Sequence, residues 1–165
     1  MSLKINEFLS QNAISEKRFQ DAAQYYWMLA TESLKLIQDP EQKTNKDDAK
    51  YMTSYSEYLR LAEIYQAYNL VSRYLEDSFR SLAQGDLFAE SVFNASRFLV
   101  NNLGATTPSG INVVYVYYAL ATLAFKFEAY KTAREGFEKL QLFKIPSKWV
   151  AQVEMQHLKL RSKPF

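Results

Sequence analysis

LATLAFKFEAYKTAREGFEKL, residues 120–140, decides how this chain folds. Leu120, Ala121 and Ala124 share one helix face; Tyr130, Ala133, Phe137 and Leu140 share the next, at offsets 0, +3, +7 and +10. Small side chains at helical spacing let two backbones approach, and the larger ones fill the space beside the contact. The pattern predicts two close-packed antiparallel helices. Glu128-Ala129 stands at the turn between them, where a glycine is usual.

The same sizes recur near the N-terminus. Leu9, Ser10, Ala13, Phe19, Ala22, Tyr26 and Leu29 each map onto the 120–140 set by adding 111. Amphipathicity alone does not fix small residues at matching places. An offset of this size is about three repeats of ~37 residues, near the tetratricopeptide period. The expected fold is therefore all-α: a right-handed α-solenoid of antiparallel helix pairs, tetratricopeptide-like, about eight helices in a single segment over residues 1–165. Leu9, Ala13, Phe19, Ala22, Tyr26 and Leu29, with Leu120, Ala121, Ala124, Tyr130, Ala133, Phe137 and Leu140, are its repeat-packing side chains.

Between these ends the chain is less regular. A helix over Leu3–Ile14 precedes Ser15, a candidate N-cap for a helix reaching about Gln38. Asp39-Pro40 ends it, and Glu41–Lys50 reads as a loop leading to a helix start near Asn45 or Asp47. Tyr51, Tyr55, Tyr58, Ala62 and Tyr65 recur at helical spacing, which fits a packing face with hydroxyls at its edge better than a base-stacking platform. Leu61, Ala62 and Tyr65 suit the first helix of a repeat. The partner expected over Leu70–Leu82 carries Tyr74 and Ser78 where alanine and a large aromatic belong. Either this repeat is degenerate or a long helix bends instead of turning.

Gln84-Gly85-Asp86 predicts a break with Asp86 as N-cap, then a helix over 87–103 closed by a left-handed Gly104. Ala105–Pro108 reads as a loop, with Ser109 capping the next helix. INVVYVYY, residues 111–118, has strand propensity. No second strand exists to satisfy its backbone, so it is read as a helix. Phe143–Pro146 ends the second pair. Ser147 caps a last helix with Trp149, Val150, Val153, His157 and Leu160 inside; no later segment pairs with it, as in a cut array or a capping helix.

Composition narrows function. There are 12 Tyr and 11 Phe against only 4 Gly and 4 Pro, which opposes disorder. No cysteine is present, so disulfides and thiolate metal sites are excluded. The start lacks a signal-peptide core. The apolar run Ile111–Phe125 is short of the ~20 residues of a membrane span. The glycines are isolated, so no phosphate-binding loop forms, and one histidine cannot build a histidine cluster or a Ser-His-Asp arrangement. Asp47-Asp48 and Glu76-Asp77 are adjacent pairs that diverge on a helix. No catalysis and no cofactor are expected. Residues 126–165 carry 9 basic and 4 acidic side chains, +5, leaving −3 for the first 125. Lys126, Lys131, Arg134, Lys144, Lys148 and Arg161 are the candidate partner-binding residues of that basic end.

Several segments carry a family likeness: Pro108-Ser109-Gly110-Ile111, AYKTAREGFEKL at 129–140, Ile145-Pro146 and the closing Arg161-Ser162-Lys163-Pro164-Phe165. In this order they resemble the C-terminal repeat region of the intraflagellar transport protein 122 family, subunits of intraflagellar transport complex A. LFAESVFNASRFLVNNL at 87–103 is similar to its preceding helix, and the likeness spans residues 58–165. It implies a solenoid fragment of a larger protein in which two WD40 propellers come first and a Cys-rich zinc-binding tail comes last. It also implies a non-catalytic scaffold for retrograde transport and membrane-protein import, at the cilium and ciliary base on the cytoplasmic side. The implied partners are other complex subunits and cargo adaptors of ciliary membrane proteins, not nucleic acid or a membrane interior. Cut solenoid ends imply weak self-association. The alternatives are a helical module of another transport or coat complex, or an RNA-binding helical repeat.

Overall fold

The computed structural model describes residues 2–38, 45–76, 78–104 and 106–163. The described chain is all-helical, without strands, and compatible with an α-solenoid. Its seven α-helices are α1 (Ser2–Ser15), α2 (Phe19–Gln38), α3 (Asn45–Glu76), α4 (Ser78–Asn102), α5 (Val113–Lys126), α6 (Tyr130–Leu140) and α7 (Ser147–Lys159); a 3-10 turn over Leu160–Ser162 closes the described chain. The helix stop expected at Asp39-Pro40, the loop over 41–44, Ala105, Pro164 and Phe165 lie outside the described residues. The chain divides into two compact units: Met1–Asn69 with Pro108–Gly110, and Leu70–Thr107 with Ile111–Phe165.

The repeat offset extends to the turns, hydrogen bond by hydrogen bond. In the first unit the Lys17 N–H bonds the Ile14 carbonyl (3.0 Å), the Arg18 N–H the Ala13 carbonyl (2.8 Å), and the Ala22 N–H the Arg18 carbonyl (3.0 Å). Add 111 to each: Glu128 bonds Phe125 (3.2 Å), Ala129 bonds Ala124 (2.8 Å), and Ala133 bonds Ala129 (2.9 Å). Both turns are Schellman closures of the preceding helix. Their left-handed residues are Lys17 (φ 62) and Glu128 (φ 63), not glycine.

In the first unit α1 and α2 run antiparallel, with Gln11 donating to the Tyr26 hydroxyl across the hairpin (3.3 Å). Ser10, Ala13, Ala22 and Leu29 are fully buried, Phe19 and Tyr26 nearly so, and Leu9 half-buried. The α3 tyrosines stack onto α2: Tyr26 lies against Tyr58 (6.3 Å, 26°) and Tyr65 (5.5 Å, 10°), and Phe19 against Tyr65 (6.3 Å, 9°). The Tyr58 hydroxyl donates to Glu7 (2.6 Å), and that of Tyr65 to the Ser109 carbonyl (2.6 Å). Pro108–Gly110 closes this unit. Gly110 has φ +80, and a Cβ there would meet Ile14 Cγ2 at 2.7 Å.

The second unit is built around α5. Its β-branched start is helical because tertiary burial overrides propensity: Val116, Tyr118, Ala119, Leu120, Ala121, Leu123 and Ala124 are all buried. α6 approaches so closely that a Cβ on Gly136 would sit 2.9 Å from the Ala121 Cβ and 3.2 Å from its Cα. Ala133, Phe137 and Leu140 are fully buried; Tyr130 is half-buried. α7 returns along the hairpin. Trp149 stacks on Tyr118 (4.0 Å, 4°), His157 lies against Phe137 (5.8 Å), and Trp149, Val153 and Leu160 are buried.

Some boundaries differ from expectation. The described residues form seven α-helices, close to the expected count of about eight; the stretch assigned to a helix over 70–82 is divided between the end of α3 and the start of α4. α4 runs through Gln84-Gly85-Asp86 without a break, so Asp86 lies inside it and is not its N-cap. One glycine inside a helix costs only about 1 kcal/mol, which the rest of a 25-residue helix absorbs. Ser15 is not the cap of α2. It belongs to the last turn of α1, bonding the Asn12 carbonyl (2.8 Å); the Schellman closure needs residues up to Arg18, so α2 starts at Phe19. Asn112, not Ser109, caps α5 through the Val114 N–H (3.1 Å). Ser147 is the first residue of α7 and makes no cap bond. Gly104 has no left-handed φ.

Candidate protein-interaction surface

The basic candidates all lie in the second unit, on and after α5. Contacts between α6 and α7 fix their positions. Arg134 near the start of α6 reaches the Leu160 carbonyl, Phe137 meets His157, and Gln141 at the far end bonds His157 Nδ1 (2.9 Å). Advancing along α6 moves back along α7, so the two are antiparallel. The eleven residues of α6 make it about 16 Å long.

This separates the candidates into two groups. Lys126 ends α5, Lys131 is in the first turn of α6, and Arg161 comes just after α7, so these three share the end of the unit that holds the α5–α6 turn. Lys144 and Lys148 lie beyond the other end of α6, roughly its full length away. All five are exposed. Arg134 stands apart from a contact role. It is half-buried, and its guanidinium donates to the carbonyls of Leu160 (3.0 Å) and Lys163 (2.6 Å). The Leu160 carbonyl also accepts from the Lys163 N–H (3.1 Å), and the Lys163 carbonyl lies just past the 3-10 turn; carbonyls at a helix C-terminus attract a cation. Arg134 thus fastens the 3-10 turn to α6.

That fastening brings in a cation absent from the sequence-derived set. Lys163 Nζ lies 5.8 Å from the Tyr130 ring centroid. Lys126 Nζ lies 5.8 Å from the Phe127 ring, and Phe127 packs on Phe93 (5.7 Å). The signal for Lys163 was available: it stands two residues after Arg161 in the closing basic segment. Its place beside Tyr130 depends on the two Arg134 bonds, which no sequence spacing displays. Lys148 Nζ rests over its neighbour Trp149 (5.0 Å).

The α3 tyrosine stripe offers no open stacking platform at Tyr58 or Tyr65, because those rings stack on Tyr26 and Phe19. A small cavity of about 80 Å³ opens between Val100 of α4, Leu103 just after it, and Val113, Val116 and Tyr117 of α5. It is large enough for little more than one aliphatic side chain, and no charged group lines it. Among the described residues no three His, Asp or Glu side chains gather as metal ligands would, and no helix is long and apolar enough to cross a membrane.

No family model matches the chain. Three relatives do. Identity is 40% over 165 residues to the intraflagellar transport protein 122 homolog of Danio rerio, 37% over 164 residues to that of Homo sapiens, and 39% over 164 residues to that of Mus musculus. Each alignment covers 99% of this chain but only 12–13% of the relative. Essentially the whole chain is therefore similar to one part, the C-terminal part, of intraflagellar transport protein 122 homologues.

Proposed function

We propose that this chain is a non-catalytic docking segment of a subunit of intraflagellar transport complex A, acting in retrograde ciliary transport and in the import of ciliary membrane proteins. The observation that carries the reading is sustained similarity at 37–40% identity across 99% of the chain. The architecture supports it: packed helical hairpins give a rigid surface whose side chains select a partner. The segment would work at the cilium and ciliary base, on the cytoplasmic side. Its partners would be the other subunits of the complex, with cargo adaptors of ciliary membrane proteins as further contacts. The whole protein would add WD40 propellers before it and a zinc-binding tail after it.

The test is retention of the assembled remaining subunits by the immobilised chain at physiological salt. Binding to at least one neighbouring subunit is expected; failure to retain any of them overturns the reading. Weak self-association of the isolated segment is also expected. A sedimentation mass that stays monomeric across the concentration range would refute that part.

A further inference from the structure

We propose that the end of the second unit formed by the α5–α6 turn and the closing 3-10 turn is a docking surface for an acidic peptide segment of a partner protein. The inference rests on the docking role above and names the surface and the chemistry it takes. At this end Lys126, Lys131, Lys159, Arg161 and Lys163 are exposed, against Glu128, Glu135 and Glu90, the last on α4 three residues before the Phe93 that packs on Phe127, so cations are in excess. Exposed like charges within a Debye length of about 8 Å repel one another. Loose termini separate to relieve this. Here the chain does the opposite: Arg134, itself a cation, holds the 3-10 turn with two hydrogen bonds and keeps Arg161 and Lys163 beside the start of α6. A fixed cluster of this sign is neutralised by an anionic partner.

The rings beneath the cluster decide which anion. Lys126 and Lys163 lie over Phe127 and Tyr130, at 5.8 Å in both cases. A nucleic-acid base would need those faces for stacking and would have to displace the ammonium groups. Carboxylates meet the ammonium groups where they already are, and the ring edges remain open to an apolar side chain of the same peptide. The far group, Lys144 and Lys148, has its own ring contact, Lys148 over Trp149 at 5.0 Å, but no counterpart of the Arg134 bonds, and it belongs to a different end of the unit.

The experiment uses a fluorescein-labelled decaglutamate peptide as probe, an uncharged Gly-Ser peptide as control, and an oligouridylate of matching length as competitor. Binding is read by fluorescence anisotropy on the full chain. The parent binds decaglutamate with an affinity that falls as salt rises, and ignores the Gly-Ser control. The combined K126E, K131E, R161E, K163E variant weakens binding by about tenfold or more. The K144E, K148E variant stays within roughly twofold of the parent. Arg134→Gln removes none of the five exposed cations, yet weakens binding by releasing the 3-10 turn; its circular dichroism is recorded so that unfolding is recognised. Equal losses from both reversal variants, no loss from the first, or oligouridylate binding as tight as decaglutamate would overturn the proposal. If decaglutamate fails while neighbouring subunits are still retained, this inference falls and the docking role stands. If no subunit is retained, the docking role itself falls.

Discussion

Replacing Gly136 by alanine tests the tight contact between α5 and α6. Propensity alone makes the change favourable, by about 1 kcal/mol for an interior helical position. The structure reverses the sign. An added Cβ would lie 2.9 Å from the Ala121 Cβ, 3.2 Å from its Cα and 3.4 Å from its nitrogen. None of these is the tip of a flexible side chain, so α5 and α6 must separate. Overpacking of this kind costs about 1–3 kcal/mol, and with the propensity gain of about 1 kcal/mol subtracted the net loss is up to about 2 kcal/mol. For a chain of this length that lowers Tm by up to roughly 8 °C. Thermal melts recorded by helical circular dichroism measure it. Ala121→Gly in the Gly136→Ala background should recover part of the loss, because it removes the nearest atom but leaves the backbone; a double-mutant cycle reads that coupling. Gly136→Ala melting above the parent, or additive effects of the two changes, would refute the close approach.

Four further outcomes are expected. Lys17→Gly and Glu128→Gly should each stabilise by about 0.5–1 kcal/mol, since a left-handed conformation costs an L-residue about 1–2 kcal/mol and glycine returns part of that as chain entropy; denaturant midpoints check this. Phe137→Ala should open a cavity costing about 3–5 kcal/mol, and Ala22→Phe or Ala133→Phe should cost about 1–3 kcal/mol or more; melts matching the parent would contradict the packing. Gly110→Ala should destabilise, through strain at φ +80 and contact with Ile14; an unchanged urea midpoint would contradict it. Alkaline stability should fall from about pH 10 towards 12. Burial pushes the Tyr118 hydroxyl up to about 12, and burial together with the Glu7 carboxylate does the same at Tyr58. A raised folded pKa means the unfolded chain releases these protons first, so stability is complete below about pH 10 and declines above it. Tyr118→Phe should flatten the decline, as a pH series of melts would show.

The hairpins were legible because their signal is steric. A fully buried position facing a second backbone accepts only a small side chain, and Ala13, Ala22, Ala121, Ala124 and Ala133 are all fully buried. INVVYVYY was readable as a helix by elimination, since a lone strand leaves its backbone groups unsatisfied. The boundaries were less legible because local signals compete with tertiary ones. Ser15 is a good capping residue, but the turn geometry consumed it. Gly85 looks like punctuation, yet a helix with enough packing runs through it. The left-handed turn residues were concealed by their identity, although the repeat offset pairs Lys17 with Glu128. Of the basic candidates, the sequence supplied the charge but not the grouping. Antiparallel return of α7 sends Arg161 to one end and leaves Lys144 and Lys148 at the other, and the Arg134 bonds that complete the first group cross 26 and 29 residues of chain.

A lysine and a glutamate adopt the same left-handed turn with the same hydrogen bonds, so the backbone there is set by the helices around it and not by the side chain it carries. Both residues are exposed, and the chain contains no cysteine. Lys17→Cys and Glu128→Cys are thus ready-made single attachment points for a dye or a spin label. The second sits on the turn beside Lys126 and Tyr130 and would sense an arriving ligand directly, while the first labels the corresponding turn of the other unit.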